Sequence, residues 1–374
     1  MPLFPYILTK VVPDGAGVDD AFERGKRAGI VVGLAALAVY GAVLRRSLGA
    51  LAGTVTTVVA AFGLVMLKAP WAQADLLYYF LFALTAWLMF RLLQSPNIPT
   101  AVATGLAVGC TQLTKPSAIP LFALFALAAC AWIVAQRDQT VGQRLKMTSV
   151  IASVGFIALL TILPYASNSN DIFGAPFFNV NSSYYLWYDS WPDVLAGTSA
   201  YGDQFGPPAL PPSRIPTASD FLDHHSWGQI GTRVVEGLIT EARLLAAWPV
   251  SWFVAAQTIA AAGALWTERA RVGRVLRRDP IPYLFAAAVV MTYLVLSEWW
   301  MPITPAARFP MVLVLPVLTG SGWVVHALWT ERIVAIGGIR TTAANLYFGA
   351  VAALTLVVLV PLSVVQAGSM YGGH

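Results

Sequence analysis

Charge is scarce in this chain: 11% of its 374 residues are Asp, Glu, Lys or Arg, against about 25% in an ordinary soluble domain. Cysteine is scarcer still, with Cys110 and Cys130 alone. Both fall inside apolar runs, so there is no disulfide framework to read. The four histidines offer no metal centre. His224 and His225 are adjacent and cannot both point from a helix into one site, and Asp223 beside them has no further ligand at useful spacing. No metal and no cofactor is therefore expected. Low-complexity tracts, linkers and internal repeats are absent, and Met1–Val12 has neither the charged region nor the full apolar run of a signal peptide. The net charge of +5 does not point to nucleic acid, because the cations follow loop position rather than gathering in a patch.

What the chain has in abundance is apolar sequence. Hydrophobic residues make up 57% of it, and the mean hydropathy is +0.68. Ten uninterrupted apolar stretches approach the length that crosses a bilayer: 28–44, 48–67, 76–93, 98–113, 119–135, 147–166, 244–266, 281–296, 309–329 and 346–365. They are continuous rather than alternating, and an isolated run in lipid must satisfy its backbone internally, so helices are expected rather than a barrel. The fold class is an all-α polytopic membrane protein of about ten transmembrane helices. It reads as one membrane domain: an external segment at 1–27, six spans within 28–166, a long external loop at 167–243, four spans within 244–366 and an external tail at 367–374.

Sidedness follows from Lys and Arg. With the spans alternating, one set of short loops carries Arg45, Arg46, Arg144, Lys146 and the cluster from Arg269 to Arg278, and such loops are cytoplasmic by the positive-inside rule. Both termini then lie outside. Arg24, Lys26 and Arg27 pull the first span the other way, a conflict that a further span ahead of Met1 resolves.

The external loop opens with Asn168, Asn170 and Asn181 and continues through Tyr184, Tyr185, Trp187, Tyr188, Asp189 and Trp191. Aromatic rings beside polar groups suit sugars, and they equally form the interfacial belt of membrane proteins. Pro207 to Pro216 prevents helix, after which Ser219 or Asp220 is placed to cap a short one. From Trp227 to Arg243 the pattern is amphipathic. Val234, Val235, Leu238 and Ile239 fall on one side and Arg233, Glu236 and Glu241 are expected to face water, so the segment is expected to lie on the outer surface.

Two charges at span ends stand out. Asp75 begins the third span, and Lys115 follows the fourth, where Pro116 stops the helix. Alone, Lys115 reads first as a snorkelling anchor. Arg308 enters the ninth span from the same external side. Two cations, a carboxylate and aromatic loops on one face suit an anionic lipid headgroup carrying a sugar. Within the fourth span, Ala101, Gly105 and Gly109 recur every fourth residue and let another helix approach.

At these residues the chain resembles a known family. Pro70 to Asp75 and GLAVGCTQLTKPSAIPL (Gly105–Leu121) resemble the glycosyltransferase C superfamily, in particular bacterial relatives of protein O-mannosyltransferases and of the lipid A aminoarabinose transferase. FGAPFFNVNSSYYLWYDSW (Phe173–Trp191), ARFPMVLVLPVL (Ala307–Leu318) and PLFPY (Pro2–Tyr6) resemble further segments in the same order.

The resemblance implies an inverting transferase that moves a sugar from a polyprenyl-phosphate donor to a protein, lipid or glycan acceptor on the outer face of a bacterial plasma membrane. By motif match, Asp75 corresponds to an acidic position at the donor site, and Lys115 and Arg308 to cations at the lipid phosphate. Asn181, Tyr184, Trp187, Asp189 and Trp191 are candidate sugar or acceptor contacts. The family's principal acid follows an initial span upstream of the segment matched by Pro2–Tyr6, so a first span and the start of the external loop are expected ahead of Met1. Ala166-Ser167-Asn168 also lacks the arginine that relatives often carry there. A catalytically inactive accessory or lipid-binding protein that keeps the fold is the second reading. A transporter is the third, without paired broken helices or repeated halves to favour it.

Overall fold

The computed structural model describes residues 2–135, 140–174, 176–177, 185–198 and 216–371. Among them, nine helices are long and apolar enough to cross a bilayer, from Val18–Leu48 to Ala343–Met370. The Ile98–Thr114 helix, 17 residues long, holds the fourth apolar run and measures about 25 Å at 1.5 Å per residue. The chain is an all-α polytopic integral membrane protein. Its described residues form two compact units.

The first unit comprises Met1–Thr161, Trp248–Val289 and Val312–His374. Helix Val18–Leu48 turns back into Ala50–Ala60 at Gly49, whose φ of 77° lies in the left-handed region, a conformation that glycine adopts without a Cβ penalty. Asp75–Gln94 packs antiparallel on Ile98–Thr114, and the turn between them is held by the Asn97 side chain, which accepts from Thr100 N at 2.9 Å. Lipid tails are as apolar as leucine, so close packing and internal hydrogen bonds hold such helices together rather than water exclusion. Both devices are present. A Cβ on Gly105 would lie 2.7 Å from Ile157 Cβ, and one on Gly109 would lie 2.5 Å from Thr161 Cβ, so the small-residue stripe seats the Val141–Phe173 helix. Thr85 and Thr111 share a buried hydroxyl bond of 3.0 Å, and Gln257 donates to Leu318 O at 2.6 Å.

Two helices of this unit contain a π turn. Met66 N bonds to Ala61 O across Ala61–Val65, and Val360 N bonds to Thr355 O across Thr355–Leu359. An antiparallel hairpin, Ile333–Ile336 with Ile339–Thr342, links Pro310–Trp329 to the last span. It turns at Gly337 and Gly338, both with positive φ.

The second unit comprises Ile162–Ala247 and Val290–Met311. It contains the 3-10 turn Tyr185–Trp187, helices Trp191–Thr198, Ala218–His224 and Trp227–Ala246, and the end of Ile281–Trp300. Tyr185, Val194 and Ile303 form its apolar centre, with Tyr188 and Trp300 against them. Thr217, rather than Ser219 or Asp220, caps Ala218–His224: its hydroxyl accepts from Asp220 N while the Asp220 carboxylate accepts from Thr217 N. This reciprocal box satisfies two orphan donors at once. The seventh span is Pro249–Thr267, because Trp227–Ala246 is a separate helix that ends before Trp248 breaks the run.

Candidate functional site

In the first unit, the sequence-predicted pair meets. Asp75 sits in the first turn of its helix, where the backbone N–H groups and the helix dipole favour an anion. Lys115 is the extended residue that ends Ile98–Thr114. Lys115 Nζ forms an ion pair with Asp75 Oδ1. Asp75 is only 5% exposed, and its Oδ2 is buried without a hydrogen-bond partner among the described residues. An orphaned carboxylate oxygen in such a place is costly, and it leaves an acceptor ready for an incoming hydroxyl. Lys115 also lies 5.5 Å from the Tyr78 ring, and the Tyr78 hydroxyl accepts from Ser117 Oγ at 2.6 Å.

The same end of this unit carries a second cation that sequence reading passed over. Lys68 is buried at the last turn of its helix, 4.3 Å from the Trp71 ring and 5.2 Å from the Trp248 ring. Lys-Ala-Pro-Trp at 68–71 was its available signal.

The other predicted residues lie in the second unit or outside the described residues. Arg308 is exposed, with its guanidinium 5.1 Å from the Phe309 ring. Asn181 and Tyr184 are outside the described residues. Trp187 sits 6.2 Å from Trp299 and 6.1 Å from Phe221, and Trp191 packs edge-on to Tyr185 at 6.3 Å. Asp189 holds two partners: Arg233 NH1 at 2.9 Å and His225 Nε2 at 3.1 Å.

Here the expectation that Arg233 and Glu241 face water is overturned. Arg233 and Glu241 do not face water; they are buried, and Glu236 alone of the three is exposed. Arg233, Gly237 and Glu241 recur every fourth residue and so share one helix face. That face meets consecutive residues at the end of Ile281–Trp300. Arg233 donates to Trp299 O at 3.3 Å and to Tyr188 O at 2.9 Å. A Cβ on Gly237 would lie 2.2 Å from Glu298 O. Ser297 Oγ donates to the Glu241 carboxylate. Arg233 also packs over Trp299 and Phe221, at 4.7 and 5.2 Å. The result is a polar ladder that pins the Tyr185–Trp191 segment.

Electrostatics follow from this burial. Glu241 is pushed up to about 7, chiefly by burial; the Ser297 hydrogen bond pulls it down, and the nearby Glu298 carboxylate raises it further. Burial pulls the Arg233 guanidinium down, and Asp189 offsets this by both its charge and its hydrogen bond. Among the described residues, no group of three or more His, Cys, Asp and Glu is placed to hold a metal ion.

No protein-family model matches the chain, and no curated protein matches it significantly. Among solved structures, the chain is similar to ArnT from Cupriavidus metallidurans in the apo state, at 16% identity with a TM-score of 0.28. The match covers 81% of this chain and 63% of that one, so the chain spans less than two thirds of ArnT's length.

Proposed function

We propose that this protein is an integral-membrane glycosyltransferase that takes a sugar from a polyprenyl-phosphate donor at the end of the bundle bearing Asp75 and Lys115. The observation that carries the reading is the buried Asp75 carboxylate, with one oxygen paired to Lys115 and the other without a partner. The ordered resemblance of five segments to glycosyltransferase C enzymes supports it. Asp75 is assigned the role of general base on its geometry, a role that the resemblance gives to an acid upstream of the segment matched by Pro2–Tyr6, and Lys115 is assigned that of the donor-phosphate cation.

The chemistry divides between the two side chains. Asp75 takes the proton of the acceptor hydroxyl as its oxygen attacks the anomeric carbon from the face opposite the phosphate. The bond from that carbon to the phosphate oxygen breaks, the electron pair leaves on polyprenyl phosphate, and the anomeric centre inverts. Lys115 steadies the leaving phosphate. In the free protein Lys115 neutralises Asp75; donor phosphate draws the ammonium away, and the carboxylate is freed when the substrate arrives. Arg308 keeps a phosphate-binding assignment from its motif alone. Trp187, Asp189 and Trp191 are assigned to sugar or acceptor contact, and Asn181 and Tyr184 join them on the sequence. A protein, lipid or glycan acceptor, a mannosyltransferase-like chemistry and an outward active face in a bacterial plasma membrane complete the reading.

Two measurements on the reconstituted protein test it: transfer from radiolabelled polyprenyl-phosphate mannose into extracts of the native membrane, and binding of undecaprenyl phosphate. Asp75→Asn is expected to lower transfer at least about 100-fold while undecaprenyl phosphate still binds, and Lys115→Ala is expected to lose that binding. Wild-type transfer in Asp75→Asn, or full binding in Lys115→Ala, removes the residue from the site. Binding with no transfer by the wild-type protein across polyprenyl-phosphate mannose and aminoarabinose favours the lipid-binding accessory.

A further inference from the structure

The Trp227–Ala246 helix divides its circumference three ways. At about 100° per residue, Arg233, Gly237 and Glu241 mark one sector, which is buried in the second unit. Gln229, Thr232, Glu236 and Arg243 mark a second, which is exposed and polar. Between them lies an exposed sector of roughly a third of the circumference that holds no polar side chain. Trp227 is 82% exposed there, Val235 55%, Leu238 48% and Ile239 46%, with Gly231, Ala242 and Ala246 filling the gaps.

Water has no use for the third sector. A helix on a soluble surface buries its apolar stripe and exposes its charges; this one buries an arginine and a glutamate and exposes the stripe. Chain continuity says what covers it. The helix ends at Ala246, and a membrane span begins at Pro249, so its last turn lies within a few residues of the bilayer boundary. Trp248 between them is extended, with ψ of 120°, so the helix does not continue into the span. The stripe runs back to Trp227, some 30 Å at 1.5 Å per residue. An upright helix would carry that tryptophan far into water, whereas a helix lying in the boundary gives each sector its own medium: protein, water and lipid.

We infer that the Trp227–Ala246 helix lies flat in the bilayer interface and seats Trp227, Val235, Leu238 and Ile239 among the lipid chains at the headgroup boundary. The occupant of the face is the bilayer itself, bound through apolar area. Arg243 and Glu236 at the edge of the stripe balance each other in charge, so no preference for anionic lipid follows. The ladder on the buried face then holds the Tyr185–Trp191 segment at a fixed depth from the membrane surface. This inference is independent of the transferase reading.

Spin labels on the full chain in proteoliposomes test it, with Cys110→Ala and Cys130→Ala as background. Labels go singly at Val235→Cys, Leu238→Cys and Ile239→Cys, and at Thr232→Cys, Glu236→Cys and Arg243→Cys. All six side chains are exposed or at the helix edge, so folding is retained. The ratio of collision with oxygen to collision with a water-soluble nickel chelate is expected to be severalfold higher at the first three, alternating with the helical period. Equal nickel access at all six would place the stripe in water and overturn the inference. Protection of the first three from both reagents would put a protein partner on the face and overturn it equally. Brominated lipids give a label-free check: Trp227→Phe is expected to lose part of the tryptophan quenching, and unchanged quenching sinks the proposal.

Discussion

A carboxyl group buried without a cation must trade stability for charge, and among the described residues Glu241 is the clearest case. Its folded-state value is pushed up to about 7 from 4.5, so between those values the folded chain holds a proton that the unfolded chain has released. Stability is then fully present below about pH 4.5 and falls as pH rises to about 7, by up to about 3 kcal/mol, flattening above. The thermal midpoint in detergent is expected to follow that slope, and Glu241→Gln is expected to remove it and raise the midpoint at neutral pH. An unchanged slope in the variant would assign the effect elsewhere. Asp75 and Lys115 were legible in the sequence because a charge at the end of an apolar run has few neutral explanations. Arg233 and Glu241 were not. Hydropathy separates polar from apolar but not water from a polar protein interior, so two charges in register on an amphipathic helix read as a solvent face.

Elements here are joined by backbone approach as much as by side chains. Gly237 is the tightest such point, since a Cβ there would sit 2.2 Å from Glu298 O, and a main-chain carbonyl in a helix cannot rotate aside. Gly237→Ala is expected to cost about 2 kcal/mol or more and to weaken the bonds of Arg233 and Glu241 on either side. Gly231, six residues earlier on the same helix, has nothing within 4 Å of its Cβ position. Gly231→Ala is expected to be neutral or to stabilise by up to about 1 kcal/mol, so paired thermal melts separate packing from propensity. The spans were legible from continuous apolar length, and the Ala101–Gly105–Gly109 stripe foretold a close helix approach but not that Val141–Phe173 makes it. The limits of the seventh span were not, because Leu244 and Leu245 carry the apolar run straight through the break at Trp248.

For the molecule as a whole, the first unit has two unlike ends. One carries Asp75 with Lys115, Lys68 beside Trp71 and Trp248, and Gly25 against Ala72. The other carries the basic helix Arg269–Arg278, tied to the turn after Pro310–Trp329 by Arg271 and Glu331 at 2.7 Å. In the orientation proposed from the positive-inside rule, the second end faces the cytoplasm. With Cys110 and Cys130 replaced, Gln73→Cys is expected to react with a membrane-impermeant maleimide in intact cells, and Arg274→Cys only after lysis. The reverse pattern would turn the proposed site toward the cytoplasm and defeat a reaction on the outer face.

The paired π turns at Ala61–Val65 and Thr355–Leu359 carry a consequence for how this architecture tolerates change. Each turn takes up one extra residue, so the part of its helix beyond it keeps the orientation that an unbroken helix one residue shorter would give it. The two helices pack on each other, and both carry an extra residue. The seat of Lys68 between Trp71 and Trp248 also depends on Gly63 inside the first turn, because a Cβ there would lie 2.6 Å from Val250 Cβ, on the helix that Trp248 precedes. A one-residue deletion within either turn is expected to close it into regular α-helix and leave the part beyond in place. Residue count can thus change at either turn without re-aiming the rest of the helix, which makes the two turns the places where these spans absorb a change in length.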